Sequence, residues 1–254
     1  MGRIIVIANQ KGGVGKSTTT INLGSCLAEM GKNVLAIDID PQGNTTSGLG
    51  VDKNESENTL YELLLGEAEI QKCIMPNIQE SLSLIPSNMD LAGAEIELIG
   101  IDNKEYILKD AVAKIQNDYD FIIMDCPPSL SMLTINAMTA ADSIIVPIQC
   151  EYYALEGLSQ LVHTIQLVQD RLNPKLEIEG VVFTMYDART NLSLEVVENV
   201  KDNLKQNIYK TIIPRNVRLA EAPSHGMPIN IYDAKSAGAE SYRLLAEEVI
   251  NRGN

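Results

Sequence analysis

The segment Lys11-Gly-Gly-Val-Gly-Lys-Ser-Thr18 constrains the fold of this chain more than any other feature, because of what flanks it. Residues 3–9 (Arg-Ile-Ile-Val-Ile-Ala-Asn) are rich in β-branched side chains and predict a strand. Residues 16–30 read as a helix that stops at Gly31, a typical C-terminal cap. A strand, a glycine-rich turn and a helix, in that order, let backbone N–H groups close around a phosphate, and the helix N-terminus adds partial positive charge. Lys16 is placed to reach β- and γ-phosphates, and the Ser17 hydroxyl to ligate Mg²⁺. Gly12, Gly13, Val14, Gly15 and Thr18 complete the expected cradle. The strict pattern G-x-x-x-x-G-K-[ST] asks for glycine at position 10, and here Gln10 is followed by an extra lysine, Lys11.

The rest of the chain repeats the alternation. Residues 33–38, 82–85, 121–125, 143–148, 178–184 and 209–213 read as buried strands, and 104–116, 154–171, 192–206 and 237–251 as helices. This predicts an α/β fold: a single doubly wound, mostly parallel twisted sheet with helices on both faces, of the P-loop NTPase type. With no low-complexity linker and no internal repeat, residues 1–254 are expected to be one domain. No separate N-terminal DNA-reading domain is expected before the first strand. Trp is absent and aromatics are 4% of residues, so the core should be mainly aliphatic. Cys26, Cys73, Cys126 and Cys150 lie far apart without a CxxC pair or a signal peptide, as in a reduced cytoplasmic protein. No apolar run reaches membrane-spanning length.

Net charge is −14, which argues against a coat for nucleic acid and against a polybasic membrane anchor. The charge is uneven, however. Residues 51–105 hold 12 acids and 3 bases, whereas the stretch 205–218 carries Lys205, Lys210, Arg215 and Arg218 with no acid. Those bases fit either a nucleic-acid patch or an ordinary solvated surface.

Three acids follow predicted strands, where open α/β sheets place their ligands. Asp38 and Asp40 are two apart, so both can face one site only if the strand ends between them. Asp-Pro-Gln-Gly is also good turn chemistry, which leaves a solvated turn open for Asp40. Asp125 ends an apolar strand in the position of an acid that holds Mg²⁺ through water, or that merely caps the strand. His163 falls in a helical run and His225 in a loop. Neither belongs to a catalytic or metal-ligand cluster. No NKxD guanine motif is present: Asn103-Lys104-Glu105 is followed by Tyr106.

KGGVGKST, together with DIDPQGN (38–44) and FIIMDCPPSL (121–130), resembles the ParA/MinD family of deviant Walker A ATPases. QCEYYALEGL (149–158) and IPRNVRLAEAPSHGMPI (213–229) are similar to its chromosome-partitioning ParA subgroup, the Soj-like proteins. The resemblance implies an ATPase with ATP and Mg²⁺ as cofactors. It implies catalytic roles for Lys16, for Asp40 on the attacking water, and for Lys11 reaching across an ATP-bound homodimer onto the partner's nucleotide. It further implies that Asp38 shapes a switch loop, that Pro127 and Pro128 stiffen another, and that Pro214 and Asn216 contact adenine. Non-specific DNA binding as a dimer would use Arg189 and Arg218 first, then Arg215 and Lys235. A ParB-like protein is the implied partner, in chromosome partitioning and in control of replication initiation. The location would be cytoplasmic, on the nucleoid when ATP-bound. Two alternatives stay open, a MinD-like membrane-cycling regulator and a nucleotide-switched scaffold that does not hydrolyse. The C-terminal apolar stripe of Tyr242, Leu245, Ala246, Val249 and Ile250 sits beside Glu240, Glu247 and Glu248, which favours core packing over anionic lipid and disfavours a membrane partner. An iron protein of the nitrogenase type would need a second cysteine near Cys126, and none is suitably placed.

Overall fold

A computed structural model describes residues 1–151, 154–203 and 207–253. Tyr152 and Tyr153 of the 149–158 string, Lys205 of the basic stretch and the end of the helix expected to reach residue 206 lie outside the described residues. Eight strands form one sheet: β1 (Arg3–Ile7), β2 (Val34–Asp38), β3 (Met75–Gln79), β4 (Leu82–Ile85), β5 (Phe121–Asp125), β6 (Ser143–Gln149), β7 (Glu177–Tyr186) and β8 (Ile208–Pro214). Their order is β3-β4-β2-β5-β1-β6-β7-β8, and every neighbouring pair is parallel except β3 with β4.

Alternation along the central strands feeds two cores. Ile4, Val6, Leu35, Ile37, Ile122 and Met124 belong to one, and Ile5, Ile7, Val34, Ala36, Phe121 and Ile123 to the other. Both faces are covered, so β2 and β5 are buried at every residue and read as continuous apolar runs. Helices Lys16–Glu29 and Ala237–Arg252 supply the second core, and Met132–Ala140 and Ala154–Arg171 the first. The C-terminal stripe is packed there: Tyr242, Leu245, Ala246 and Val249 are buried, and the Tyr242 hydroxyl pairs with Thr19 Oγ1 at 3.2 Å. Gly31 takes φ +77° just past the first helix, as its capping role requires.

The differences from expectation have local causes. The helix expected over 104–116 is interrupted, with α-helix only at Ile107–Val112 and 3₁₀ turns at Lys104–Tyr106 and Gln116–Asp118. Gln116 is drawn out of helical geometry by the start of β1: its Nε2 donates to Gly2 O at 2.7 Å, and Gly2 N–H donates back to Gln116 O. β3 escapes strand periodicity because Pro76 and Asn77 (φ +50°) break its ladder, which an edge strand tolerates. Met132–Ala140 shows no polar stripe because nearly all of it is buried.

Candidate nucleotide site

Sheet topology brings the C-terminal ends of β1, β2 and β5 side by side, and the loops leaving them form the site. Asn9 pins the glycine-rich loop. Its Nδ2 donates to Pro147 O at 2.8 Å and its Oδ1 accepts the Lys11 N–H at 3.0 Å. Gly13 (φ +74°) and Gly15 (φ +90°) adopt left-handed backbone that side chains with Cβ disfavour. Gly15 is the N-cap of helix Lys16–Glu29 and offers no capping side chain, so the first helical N–H groups face an incoming anion. Val14 is buried, and its carbonyl accepts the Thr184 hydroxyl at 2.8 Å. Lys16 is only 7% exposed and its Nζ donates to Lys11 O at 3.1 Å. Burial lowers its pKa, while Asp125 and Asp40 pull the other way.

A cavity of about 490 Å³ lies over this loop, lined in part by Lys16, Ser17, Thr18, Asp40, Gln42 and Pro128. A second, of about 410 Å³ and mainly apolar, is lined by Pro214, Asn216, Val217 and Tyr242 among others. Gly15, Thr18 and Met185 border both, so the two are contiguous, as the phosphates and base of one nucleotide require. Asn216 also caps helix Val217–Glu221, its Oδ1 accepting the Arg218 N–H at 2.8 Å, which leaves the side-chain amide N–H groups for a ligand. Met185 and Tyr242 were missed by sequence reasoning, and the positive φ of Met185 (+51°) carries no sequence signal.

Asp38 and Asp125 are register partners on β2 and β5, and both are fully buried. Asp38 Oδ2 accepts the Thr46 N–H and Oγ1–H, both at 2.7 Å, and its Oδ1 accepts the Asp40 N–H at 3.2 Å. Since β2 ends at Asp38, Asp40 is freed from strand alternation and reaches the phosphate cavity. It makes the turn as well: its carbonyl accepts the Gly43 N–H at 2.9 Å and its Oδ1 the Gln42 N–H at 2.9 Å. Asp40 thus lines the cavity and also makes a turn, but that turn is buried, not solvated. Asp125 Oδ2 accepts the Thr45 hydroxyl at 2.7 Å, while Oδ1 is buried with no hydrogen-bond partner. An orphaned oxygen on a carboxyl beside Ser17 fits a Mg²⁺ held by one carboxylate, a hydroxyl and substrate phosphates. Among the described residues, no cluster of three or more His, Cys, Asp or Glu could hold a metal by itself.

Burial, then the charge of Asp125, pushes the Asp38 carboxyl up to about 8. Burial raises Asp125 to about 6, with the Ser17 and Thr45 hydroxyls opposing. Both folded values lie above the ordinary carboxylate value, so the folded chain holds protons that the unfolded chain releases. The stabilisation is complete below the unfolded pKa and fades as pH rises through about 6 and about 8. Thermal unfolding of the nucleotide-free protein should show the melting temperature falling between pH 6 and 8.5. In Asp125→Asn that fall should be shallower, because Asp38 loses its charged neighbour. An equal slope in both proteins would refute the coupling.

Lys11 does not point at its own phosphate loop. Its Nζ pairs with Glu151 Oε2 at 2.8 Å, just beyond β6, with both side chains partly exposed. Glu151 lies in the 149–158 string but had no assigned role. Arg189, 85% exposed, is held in a two-pronged pair by Asp187. Arg218 pairs with Glu221 at 2.8 Å and Asp233 at 3.5 Å. Arg215, Lys210 and Lys235 are exposed. At the end of the acid-free stretch, Arg218 therefore meets one acid just beyond the stretch and a second, Asp233, from another segment. His225 stacks on Tyr232, and His163 is exposed on its helix. All four cysteines are buried, and Cys126 lies behind Asp125.

A glycine-rich loop at the end of a central parallel strand, with a buried lysine and a strand-end acid converging on it, defines a P-loop nucleoside triphosphatase with a deviant Walker A loop. The sequence matches the AAA_31 family, an AAA domain, over residues 2–178. It is 57% identical to the sporulation initiation inhibitor protein Soj of Bacillus subtilis over 100% of both chains. It is 52% identical to the chromosome partitioning protein ParA of Myxococcus xanthus, covering 99% of this chain and 89% of that one. A crystal structure of cobyrinic acid a,c-diamide synthase from Mycobacterium smegmatis, with bound ATP analogue and magnesium, superposes with a TM-score of 0.88 at 40% identity, over 100% of this chain and 96% of that one. The chain belongs to the ParA/Soj family of chromosome-partitioning ATPases.

Proposed function

We propose that residues 1–254 form one ATPase unit that dimerises on ATP, binds DNA without sequence preference and is stimulated by a ParB-like partner. The observation that carries the ATPase part is the convergence of Lys16, Ser17 and Asp40 on one cavity over the glycine-rich loop, with the orphaned carboxylate of Asp125 buried beside Lys16 and Ser17. Backbone N–H groups of residues 12–18 and the Lys16 ammonium bind and orient the phosphates. Pro214 packs on the base and Asn216 offers it an amide edge. Asp40 orients the attacking water. Ser17 and Asp125 would hold Mg²⁺, directly and through water, and bound Mg²⁺ neutralises charge on the β- and γ-oxygens. Lys11, aimed away from its own nucleotide, serves the partner subunit's.

A monomer with net charge −14 grips DNA poorly, whereas a two-fold pair of weak patches gains avidity with no new contact. ATP-dependent DNA binding, nucleoid association and partner-triggered release follow from that, and a link to replication initiation belongs to the same reading. The membrane-cycling alternative loses support because the C-terminal apolar stripe is packed in the core. Among the described residues no helix is long and apolar enough to cross a membrane.

Arg189→Glu and Arg218→Glu test the DNA-binding part. Each should weaken ATP-dependent binding to a random-sequence duplex at least about tenfold and, because a two-fold dimer loses two contacts per substitution, lower the slope of log K against log salt by about 2. ATP affinity should be unchanged in both. Unchanged DNA affinity in both variants would move the DNA face elsewhere. Wild-type protein that binds ATP but never hydrolyses it, even with DNA and a ParB-like partner, would instead establish the scaffold.

A further inference from the structure

Asp40 is held by a residue far away in the chain. Ser87, two positions beyond β4, is fully buried. Its Oγ–H donates to the Asp40 carbonyl at 2.8 Å, and its N–H donates to Thr46 Oγ1 at 3.0 Å. Thr46 Oγ1 donates in turn to Asp38 Oδ2 at 2.7 Å, and Asp38 Oδ1 accepts the Asp40 N–H at 3.2 Å. The four residues close a hydrogen-bonded ring in which the Asp40 backbone is gripped on both sides, by Asp38 at its N–H and by Ser87 at its C=O. The far end of the same turn also rests on residue 87: a Cβ on Gly43 (φ +61°) would lie 2.9 Å from Ser87 O.

From this ring we infer that Ser87 is a positioning residue for hydrolysis, setting the Asp40 carboxylate relative to the γ-phosphate. This rests on the role of Asp40 stated above. Ser87 itself lies outside the phosphate cavity and touches no substrate, so its effect runs through the backbone of Asp40. The turn does not depend on it, because the Asp40 carbonyl also accepts the Gly43 N–H at 2.9 Å. What the hydroxyl sets is where the turn sits against β2. Displacements of about 1 Å at a reacting group cost up to about 10²-fold in rate.

The test compares wild type, Ser87→Ala, Ser87→Cys, Asp40→Ala and the Ser87→Ala/Asp40→Ala double variant. Hydrolysis is followed in long single-turnover incubations with γ-labelled ATP, and affinity is measured with a fluorescent ATP analogue. Cysteine fills nearly the same space as serine but is a weak donor, so it separates lost hydrogen bonding from lost volume. Turnover should fall at least about tenfold in Ser87→Ala and in Ser87→Cys, with ATP affinity within about twofold of wild type. On the Asp40→Ala background, Ser87→Ala should change turnover less than about twofold, since both act through one group. Wild-type turnover in Ser87→Cys would overturn the inference, as would equal losses of affinity and turnover on both backgrounds. Normal hydrolysis by Asp40→Ala alone would instead remove the role of Asp40 beneath it.

Discussion

Lys11→Ala should bind ATP as a single chain, fail to form the ATP-dependent dimer and hydrolyse about 10³-fold more slowly than wild type. That magnitude is the lower end of what a cation supplied in trans contributes to phosphoryl transfer. The loop around Lys11 explains the direction. Lys16 already occupies the phosphate end of this subunit's site, buried and lowered in pKa. A second ammonium in the same cavity would be repelled, and the chain avoids this by pairing Lys11 with Glu151 at 2.8 Å. Both partners are partly exposed, and pairs of that kind contribute about 0–1 kcal/mol, so a partner's phosphates can displace Glu151 at little cost. Light scattering with ATP and with ADP, together with an ATPase assay, decides the matter. A Lys11→Ala protein that still dimerises and turns over normally would eliminate the in-trans role.

Asp40→Ala should have the complementary phenotype: ATP binding and dimer formation retained, hydrolysis reduced about 10²–10⁴-fold. Asp40 is 7% exposed and borders the cavity that contains Lys16 and Ser17, yet none of the backbone groups of the phosphate loop bonds to its carboxylate. Its removal therefore takes away a carboxylate that lines the cavity and leaves the cradle intact. Sizing in ATP and a DNA-retention assay should show a trapped, DNA-competent dimer. A variant that loses ATP affinity as steeply as turnover would show that Asp40 only maintains the fold of the loop.

Much of the architecture was legible because burial leaves a periodic trace. β4 and β5 lie where the apolar runs 82–85 and 121–125 put them, and the other long parallel strands deviate by one or two residues at their ends. The nucleotide cradle was legible for a different reason: a left-handed backbone needs glycine, so Gly13 and Gly15 announce the loop in one dimension. Elements without a repeating polar face left no such trace. Met132–Ala140 is buried along nearly all its length, and β3 has a proline and a positive φ inside five residues.

The site divides in the same way. From sequence alone came the residues that chemistry restricts to few types: a lysine and a hydroxyl after glycines, and acids at strand ends. The long-range contacts came only from the folded chain. Glu151 is 140 residues from Lys11, Ser87 is 47 from Asp40, and Thr45 is 80 from Asp125, and no periodicity records such distances. Charge shows the limit most clearly. The stretch 205–218 has no acid of its own, yet Arg218 at its end lies against Asp233, which a different part of the chain brings in. Composition along a chain sets how much charge there is. Its local balance is decided by which strands and helices pack together, because Coulomb interactions depend on distance in space and not on separation in sequence.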